Sequence, residues 1–268
     1  MTDRVALTIA DGIAHVRLTR GDKLNALDPA MFEAMAAVIA RLAEATDVRC
    51  VLLSGEGRGF CAGLDMAAMA GMAGMATGGT GGLLTTERTH GLANLAQQVA
   101  WGWRTLPQPV VAALHGVILG GGLQVASGAD IRLVAADARL SVRELHWGIV
   151  PDMAGFALWR GTVRDDVLRE CIFTAREFDG AEAVAMGFAT RIATDPLAEA
   201  QALCRAIAGR NPDAIRAAKR LFAVAADGDA ATILRAESDE QVRLLGSANQ
   251  REQVMANMEK RAARFRDG

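Results

Sequence analysis

Apolar and polar residues alternate in two short segments near the start of the chain, and apolar residues then recur at helical spacing. Residues 5–9 and 13–18 flank the dipeptide Asp11-Gly12, a favoured two-residue turn, and predict a β-hairpin. Asp28-Pro29 opens a predicted helix, because aspartate caps free amides and proline gives up an amide that has no partner there. The predicted buried stripe of this helix has three- and four-residue spacing and consists of Phe32, Met35, Ile39 and Leu42.

Short apolar runs alternate with small-residue turns through the middle of the chain. They predict strands at residues 50–53, 109–114, 131–134 and 140–142, and helices near 87–105 and from the glycine triplet at 120–122 to residue 127. Such alternation of strands and helices indicates an α/β layered core. Residues 66–86 are rich in Ala, Gly, Thr and Met and predict a loop, whose methionines serve either ordinary packing or an adaptable wall for an apolar chain.

The pattern changes after Asp195-Pro196, where no further strand is predicted. Four amphipathic helices are predicted instead, near residues 197–208, 212–226, 230–245 and 248–264. We therefore divide the chain into an α/β core at residues 1–195 and a helical region at residues 196–268. The apolar faces of these helices require a partner, which favours self-association.

Composition and charge limit the classes of function that the chain is expected to have. The 268 residues carry a formal net charge of −2 and are 51% hydrophobic, so no basic excess indicates nucleic acid binding. No signal peptide pattern or apolar run long enough to span a membrane is present, and no His, Cys, Asp or Glu set has metal-ligand spacing. Widely spaced cysteines without a CxxC pair are typical of reduced thiols, which predicts a cytoplasmic protein. The four cysteines are Cys50, Cys61, Cys171 and Cys204.

Two small-residue motifs stand out because their backbone amides can approach a ligand closely. The first is Arg-Gly-Phe-Cys-Ala-Gly-Leu-Asp at residues 58–65, and the second is His-Gly-Val-Ile-Leu-Gly-Gly-Gly-Leu at residues 115–123. In the second motif, Gly121 would lie at a helix N-terminus, where free amides and the helix dipole favour negative charge. A glycine triplet can also simply start a helix after a tight turn, so the pairing of the two motifs carries the functional interpretation.

In this order, the two motifs resemble those of the crotonase superfamily, the enoyl-CoA hydratase/isomerase family. Residues 23–27 (Lys-Leu-Asn-Ala-Leu), 180–189 and 259–265 are similar to further segments of the family, so the resemblance covers nearly the whole chain. It implies an α/β fold with a crotonase-like ββα spiral core and a helical C-terminal region. It also implies an acyl-CoA substrate, with CoA as its carrier and no separate cofactor, and a homotrimer or a dimer of trimers.

The resemblance assigns roles to individual residues. The amides of Leu64 and Gly121 would form an oxyanion hole for the thioester carbonyl. Residues expected to contact CoA or the substrate, with the last two reaching the CoA of a neighbouring subunit, are Lys23, Leu24, Ala26, Ala62, Asp65, Met66, Gly120, Lys260 and Phe265.

The resemblance implies catalytic roles for three further residues. Glu144 lies in the segment that bears a catalytic glutamate, among apolar neighbours that would raise its pKa. Hydratases of the family carry a second glutamate where this chain has Gln124, whose amide can orient substrate or water but cannot transfer a proton. Asp152 either pairs with Glu144 in proton transfer, as in the dienoyl-CoA isomerases, or caps a helix at about residues 153–160.

The expected activity is proton transfer on an enoyl-CoA, either hydration or double-bond isomerisation, with a slight preference for isomerisation. Other chemistries of the superfamily, such as thioester hydrolysis, stay open, because a fold alone does not choose among them. A catalytically silent acyl-CoA-binding subunit is an alternative from another class, suggested by the missing second glutamate. RNA binding is disfavoured, because acidic residues are interspersed with the arginines of the C-terminal helices.

Overall fold

A computed structural model describes residues 4–65, 67 and 85–267 of the chain. The strands of this described part are β1 (Val5–Ala10), β2 (Ile13–Leu18), β3 (Cys50–Gly55), β4 (Val110–Leu114), β5 (Val117–Leu119), β6 (Ile131–Val134), β7 (Arg139–Ser141), β8 (Phe178–Asp179) and β9 (Arg191–Ile192). They form a six-stranded sheet in the order β1-β2-β3-β4-β6-β9 and a three-stranded sheet in the order β5-β7-β8. All neighbours in the larger sheet are parallel except the β1–β2 hairpin.

The helices lie around these two sheets. Over the same described residues they are α1 (Pro29–Ala43), α2 (Leu95–Thr105), α3 (Gly121–Ser127), α4 (Gly155–Trp159), α5 (Asp165–Thr174), α6 (Gly180–Met186), α7 (Pro196–Ala208), α8 (Pro212–Asp227), α9 (Ala230–Leu244) and α10 (Ala248–Glu259). Two short 3-10 turns, at Gly21–Lys23 and Glu144–Trp147, lie beside the glycine motifs. This mixed architecture confirms the predicted α/β class.

The predicted hairpin and first helix are confirmed, and local chemistry explains both. Asp11 and Gly12 adopt φ of 52° and 73°, the left-handed values that the tight turn needs. Asp28 caps α1 by accepting a hydrogen bond from the Met31 amide at 2.9 Å, and Pro29 is the first helical residue. The predicted stripe of α1 is buried in the main core.

Several predicted boundaries are wrong. The helix expected near residues 87–105 begins only at Leu95, because Asn94 and Gln97 form a reciprocal capping box. The last helix ends at Glu259 rather than 264, since Lys260 adopts a left-handed φ of 53°. The strand expected at 140–142 lies one residue earlier, and α5 and the two-residue strands β8 and β9 were not predicted.

The large core lies between the sheets and helices α1 to α6. A smaller cluster joins α7 to the outer face of the six-stranded sheet, where Ala200 and Cys204 pack against Cys50, Leu52 and Val111. Helix α7 is thus tied to the sheet, and the four C-terminal helices follow the last strand as predicted. The division into domains at residue 195 stays a prediction. The loop predicted at residues 66–86 falls almost entirely outside the described residues.

Candidate active site

The two glycine motifs lie side by side and form one wall of a cleft of about 370 Å³. The Cys61 amide donates to the Val117 carbonyl at 3.0 Å, and the Leu119 amide donates to the Cys61 carbonyl at 3.0 Å. The cleft is lined by Lys23, Ala26, Ala62, Gly63, Leu64, Asp65, Leu119, Gly120, Gly121, Arg143, Glu144, Trp147 and Ile149. The fold therefore brings together segments that are far apart in the sequence.

Most of the predicted site residues line this cleft, but several do not. Those that line it are Lys23, Ala26, Ala62, Leu64, Asp65, Gly120, Gly121 and Glu144. Those that are described but do not line it are Leu24, Gln124, Asp152, Lys260 and Phe265. Met66 lies outside the described residues.

The amide of Leu64 is left available by the way its segment pairs with its neighbour. Leu27 donates to the Gly63 carbonyl at 2.8 Å, and Asp65 donates to the Leu27 carbonyl at 3.0 Å. In this parallel bridge the residue between the two bonds, Leu64, turns its own amide away from Leu27. Among the residues that the structure describes, the Leu64 amide donates to no backbone carbonyl.

The amide of Gly121 is available for a different reason. It is the first residue of α3, and the first amides of a helix have no partner within it. The preceding Gly120 has φ 50° and ψ −120°, a conformation that residues with a side chain avoid. Both available amides lie in residues that line the same cleft.

Glu144 lies at the start of a 3-10 turn and lines the cleft while being only 6% exposed. Its Oε1 accepts a hydrogen bond from Nε2 of Gln124 at 2.5 Å. Its Oε2 is buried and has no hydrogen-bond partner among the described residues. Burial raises the pKa of Glu144 above its ordinary value, and the negative charge of Asp152 raises it further. The nearby backbone amides of Glu144 and Arg143 and the Gln124 hydrogen bond oppose the rise.

Gln124 is fully buried behind the cleft. Its Oε1 accepts hydrogen bonds from the amides of Met153 and Gly155, both at 2.9 Å. With its nitrogen donated to Glu144, the carboxamide contacts protein groups at both ends. Its position behind the wall of the cleft differs from the expected direct contact with substrate or water.

Asp152 is half-buried close to Glu144, and burial raises its pKa above the ordinary value. The alternative that it caps a helix is wrong. Helix α4 begins at Gly155 after Ala154, which has φ 68° and supplies no side-chain cap. Asp152 therefore lies two residues before the N-cap position of this helix, which is where a capping side chain would have to be.

Asn25 is a structural residue that sequence reasoning did not single out. Its fully buried Nδ2 contacts the carbonyls of Glu56, Gly59 and Phe60 at 2.9, 3.0 and 3.1 Å. It thereby fixes the turn that leads from β3 into the first motif. Asn25 has a left-handed φ of 55°, which asparagine tolerates better than most residues. This backbone conformation cannot be recognised from the sequence alone.

Asp65 is held by an arginine that was also not predicted. The Arg20 guanidinium donates to the Asp65 carboxylate at 2.7 Å and to the Ala26 carbonyl at 3.0 Å. These bonds join the segment that contains Lys23 to the segment that contains Leu64. Two walls of the cleft are therefore connected through one side chain.

The other lining residues give the cleft an apolar wall and a second cationic side chain besides Lys23. Trp147 and Ile149 are 47% and 42% exposed, and together with Leu119 they form the apolar part. Trp103, by contrast, is fully buried in the core. Arg143 lines the cleft and pairs with Glu177 at 2.5 Å.

Lys260 and Phe265 lie away from the cleft of their own chain. The Phe265 carbonyl accepts a hydrogen bond from the guanidinium of Arg49, the residue that immediately precedes β3. The cleft is built from segments that follow the carboxyl ends of β2, β3, β5 and β7. The prediction that these two residues reach the CoA of a neighbouring subunit stays a prediction.

The described residues give little support to chemistry by a cysteine thiol or by a bound metal ion. Burial raises the pKa of the Cys61 thiol to about 12, so this cysteine beside the cleft stays neutral. The described part of the chain holds no group of three or more His, Cys, Asp or Glu side chains that could bind a metal ion. In the same part, no helix has the length and apolar character needed to cross a membrane.

Comparisons with known proteins agree on one family. The family model described as enoyl-CoA hydratase/isomerase matches residues 8–268. YngF of Bacillus subtilis (strain 168), provisionally named an enoyl-CoA hydratase/isomerase, is 28% identical over 270 residues, covering 99% of each chain. The peroxisomal Δ3,5-Δ2,4-dienoyl-CoA isomerase of Arabidopsis thaliana is 26% identical, covering 94% of this chain and 92% of its own. The crystal structure of an enoyl-CoA hydratase from Bacillus anthracis matches with a TM-score of 0.85 and 25% identity, covering 99% and 100%.

Proposed function

Because this chain belongs to the enoyl-CoA hydratase/isomerase family, we propose that its cleft binds an enoyl-CoA thioester and that Glu144 transfers a proton on the bound acyl group. An acyl-CoA substrate is what the family implies. The reaction, the oxyanion hole and the individual roles are the parts that we propose. One observation carries the proposal. Glu144 lines the same cleft as the available amides of Leu64 and Gly121, and its buried Oε2 has no hydrogen-bond partner among the residues that the structure describes.

The two amides would stabilise the negative charge that develops on the thioester oxygen when a neighbouring proton is removed. Each donor of this kind is worth about 3–4 kcal/mol in other oxyanion holes. Gly121 adds the positive end of the α3 dipole, which also favours an enolate. Support comes from the fixed backbone around both amides, since pre-organised donors need no rearrangement during the reaction.

Glu144 would act as the general base and then as the general acid. Its raised pKa brings the carboxyl closer to the neutral range, where a group can both accept and return a proton. Asp152 does not line the cleft, so we propose that it acts as a partner carboxyl whose charge keeps the pKa of Glu144 high. Coupled carboxyls of this kind titrate as a pair.

Isomerisation is the reaction that these residues support best. Hydration requires a group that positions and deprotonates a water, and the amide of Gln124 can do neither while it is bonded to Glu144 and the 153–155 turn. Isomerisation needs only one carboxyl, which takes a proton from one carbon and returns it to another. The relative from Arabidopsis thaliana, whose name describes a dienoyl-CoA isomerase, favours the same reaction.

The remaining assignments follow the family resemblance. Lys23, Leu24 and Ala26 would lie along the CoA nucleotide. Trp147 and Ile149 would contact the acyl chain, since both are apolar and line the cleft.

A homotrimer or a dimer of trimers would cover large apolar side chains that the C-terminal helices leave exposed. These are Phe222, Leu234, Val242, Leu245 and Met258. Cytoplasmic location is likewise proposed.

Product analysis tests the proposal. The protein is incubated separately with 3-enoyl-CoA and trans-2-enoyl-CoA, and the products are separated and weighed by mass spectrometry. We expect 3-enoyl-CoA to give a conjugated product of unchanged mass. Addition of one water to the 2-enoyl substrate as the main reaction would make hydration the function. Absence of any product from both substrates would contradict the proposed activity and favour a silent binding subunit.

A further inference from the structure

The carboxamide of Gln124 joins two segments that each carry a carboxyl group. It accepts from the amides of Met153 and Gly155, directly after Asp152, and it donates to Glu144. The side chain is fully buried, so it contacts protein rather than bulk solvent. A buried side chain that makes three hydrogen bonds holds its partner groups in fixed positions.

The orientation of this carboxamide follows from its partners. Two backbone amides point at the same atom of Gln124, and only the oxygen can accept from both. The nitrogen must therefore face Glu144, and a flipped side chain would place N–H groups against N–H groups. The donor at the Gln124–Glu144 contact is thus assigned by the network itself.

This orientation determines where the proton of Glu144 resides. An amide NH₂ group donates and never accepts, so Oε1 of Glu144 is an acceptor whether the carboxyl is charged or neutral. The proton of the neutral carboxyl is then favoured on Oε2, because the carbonyl-type oxygen of a carboxyl is the better acceptor and Oε2 has no hydrogen-bond partner among the described residues. We infer that Gln124 is a positioning residue. It holds Oε1 of Glu144 so that Oε2 carries the proton, and it connects the turn after Asp152 to the same carboxyl.

The inference rests on the proposed function for its chemical meaning. A C–H bond of the substrate breaks, its proton moves to Oε2, and its electron pair enters the enolate. Oε2 then returns the proton to a different carbon, which forms the new C–H bond and completes isomerisation without water, oxidant or reductant. A carboxyl free to rotate would present either oxygen and lose part of the rate that fixed geometry supplies.

Two substitutions at this position separate the two tasks of the side chain. Gln124→Glu keeps an oxygen for the two backbone amides and, when it is ionised, lacks the donor that faces Glu144. Gln124→Met removes every hydrogen bond while keeping a similar volume. Gln108→Met is the matched control, because Gln108 is also fully buried and donates to the carbonyls of Leu42 and Ala45, both at 2.9 Å, away from the cleft.

The first readout needs no substrate. Carboxyl-labelled glutamate is followed by carbon NMR across pH, and the Glu144 signal is identified by its absence in Glu144→Gln. Because the Gln124 hydrogen bond lowers the pKa of Glu144, both Gln124 variants should titrate at higher pH than the wild-type protein, and Gln108→Met should not. An unchanged Glu144 titration in Gln124→Glu would overturn the inference, even if Gln124→Met does not fold.

The second readout is the pH profile of kcat with 3-enoyl-CoA. We expect the acidic limb to move to higher pH in both Gln124 variants, with kcat lowered by about tenfold or more and KM nearly unchanged. A purely structural role would instead lower the amount of folded enzyme and leave the profile in place, which would also overturn the inference. If the wild-type protein has no turnover, the proposed function fails while the NMR titration still decides the role of Gln124.

Discussion

Gly63 and Gly121 approach so closely that a Cβ added to Gly63 would lie 3.3 Å from the Gly121 amide nitrogen. The same Cβ would lie 2.5 Å from the Leu119 carbonyl oxygen, closer than real Cβ atoms come. The two motifs are thus in contact at Gly63, which precedes the proposed donor Leu64, and at Gly121, which is itself the other proposed donor. Their distance along the sequence hides this relationship completely.

Gly63→Ala should displace the Leu64 amide and lower kcat by roughly 10²-fold while the protein still folds, because a small misplacement near the reacting atoms is costly. Gly161→Ala is the control, since Gly161 has a nearly equal φ of 80° against 83° but has no atom within 4 Å of an added Cβ. Steady-state kinetics on 3-enoyl-CoA compare the two variants. Equal kcat in both would mean that only backbone strain matters and that the Leu64 amide has no role.

Asp152→Asn should shift the acidic limb of the kcat profile to lower pH. The Asp152 charge raises the pKa of Glu144, so its removal lets Glu144 lose its proton more easily. Because Asp152 does not line the cleft, we expect kcat at the optimum to fall by less than about tenfold. The exposed Asp137 provides the control substitution, Asp137→Asn. A loss near 10²-fold without a shift would show that Asp152 itself carries the proton.

Glu144→Gln should stabilise the fold near neutral pH. Burial raises the pKa of this carboxyl above the ordinary 4.5, so the folded state holds its proton to higher pH than the unfolded state. The resulting stability is fully present below 4.5 and is lost as pH rises through the folded pKa. Thermal unfolding should therefore show a Tm gain in the variant near neutral pH that disappears in acid. A gain that is independent of pH would contradict the assignment.

Lys219→Met should destabilise the protein without changing kcat. Nζ of Lys219 donates to the Asp130 carboxylate at 2.7 Å and to the Gln108 carbonyl at 2.7 Å, which ties α8 to the core. The pair is largely buried, so loss of one partner should cost about 3 kcal/mol. Urea unfolding measures the change, and Asp130→Asn added to the variant should recover part of it. A cost below about 0.5 kcal/mol would contradict the interpretation of this contact.

The sequence predicted those features that local chemistry determines. Asp28 and Pro29 start α1, and the glycine triplet starts α3, because caps and turns depend on a few adjacent residues. Eight of the site residues that the family resemblance predicted line one cleft. The predicted start of helix α2 is too early. The residues before Asn94 include no Pro, and the start is marked only by the capping box of Asn94 and Gln97.

Other features depend on contacts between distant segments and could not be predicted in this way. The packing of Asn25 against the turn after β3, and the ion pair between Arg20 and Asp65, arise only when separate segments meet. The role of Asp152 depended on whether the chain continued directly into a helix, and Ala154 prevents this. The bonds of Gln124 likewise became visible only in three dimensions.

Deuterium exchange from heavy water tests the central claim most directly. Wild-type protein and Glu144→Gln are incubated with 3-enoyl-CoA in heavy water, and the deuterium in substrate and product is counted by mass spectrometry over time. We expect the wild-type protein to shift the double bond and to incorporate deuterium to the extent that the proton on Glu144 exchanges with solvent before it is returned. We expect Glu144→Gln to form the product roughly 10²-fold more slowly while still binding CoA. Equal rates of product formation in the two proteins would show that Glu144 does not transfer the proton.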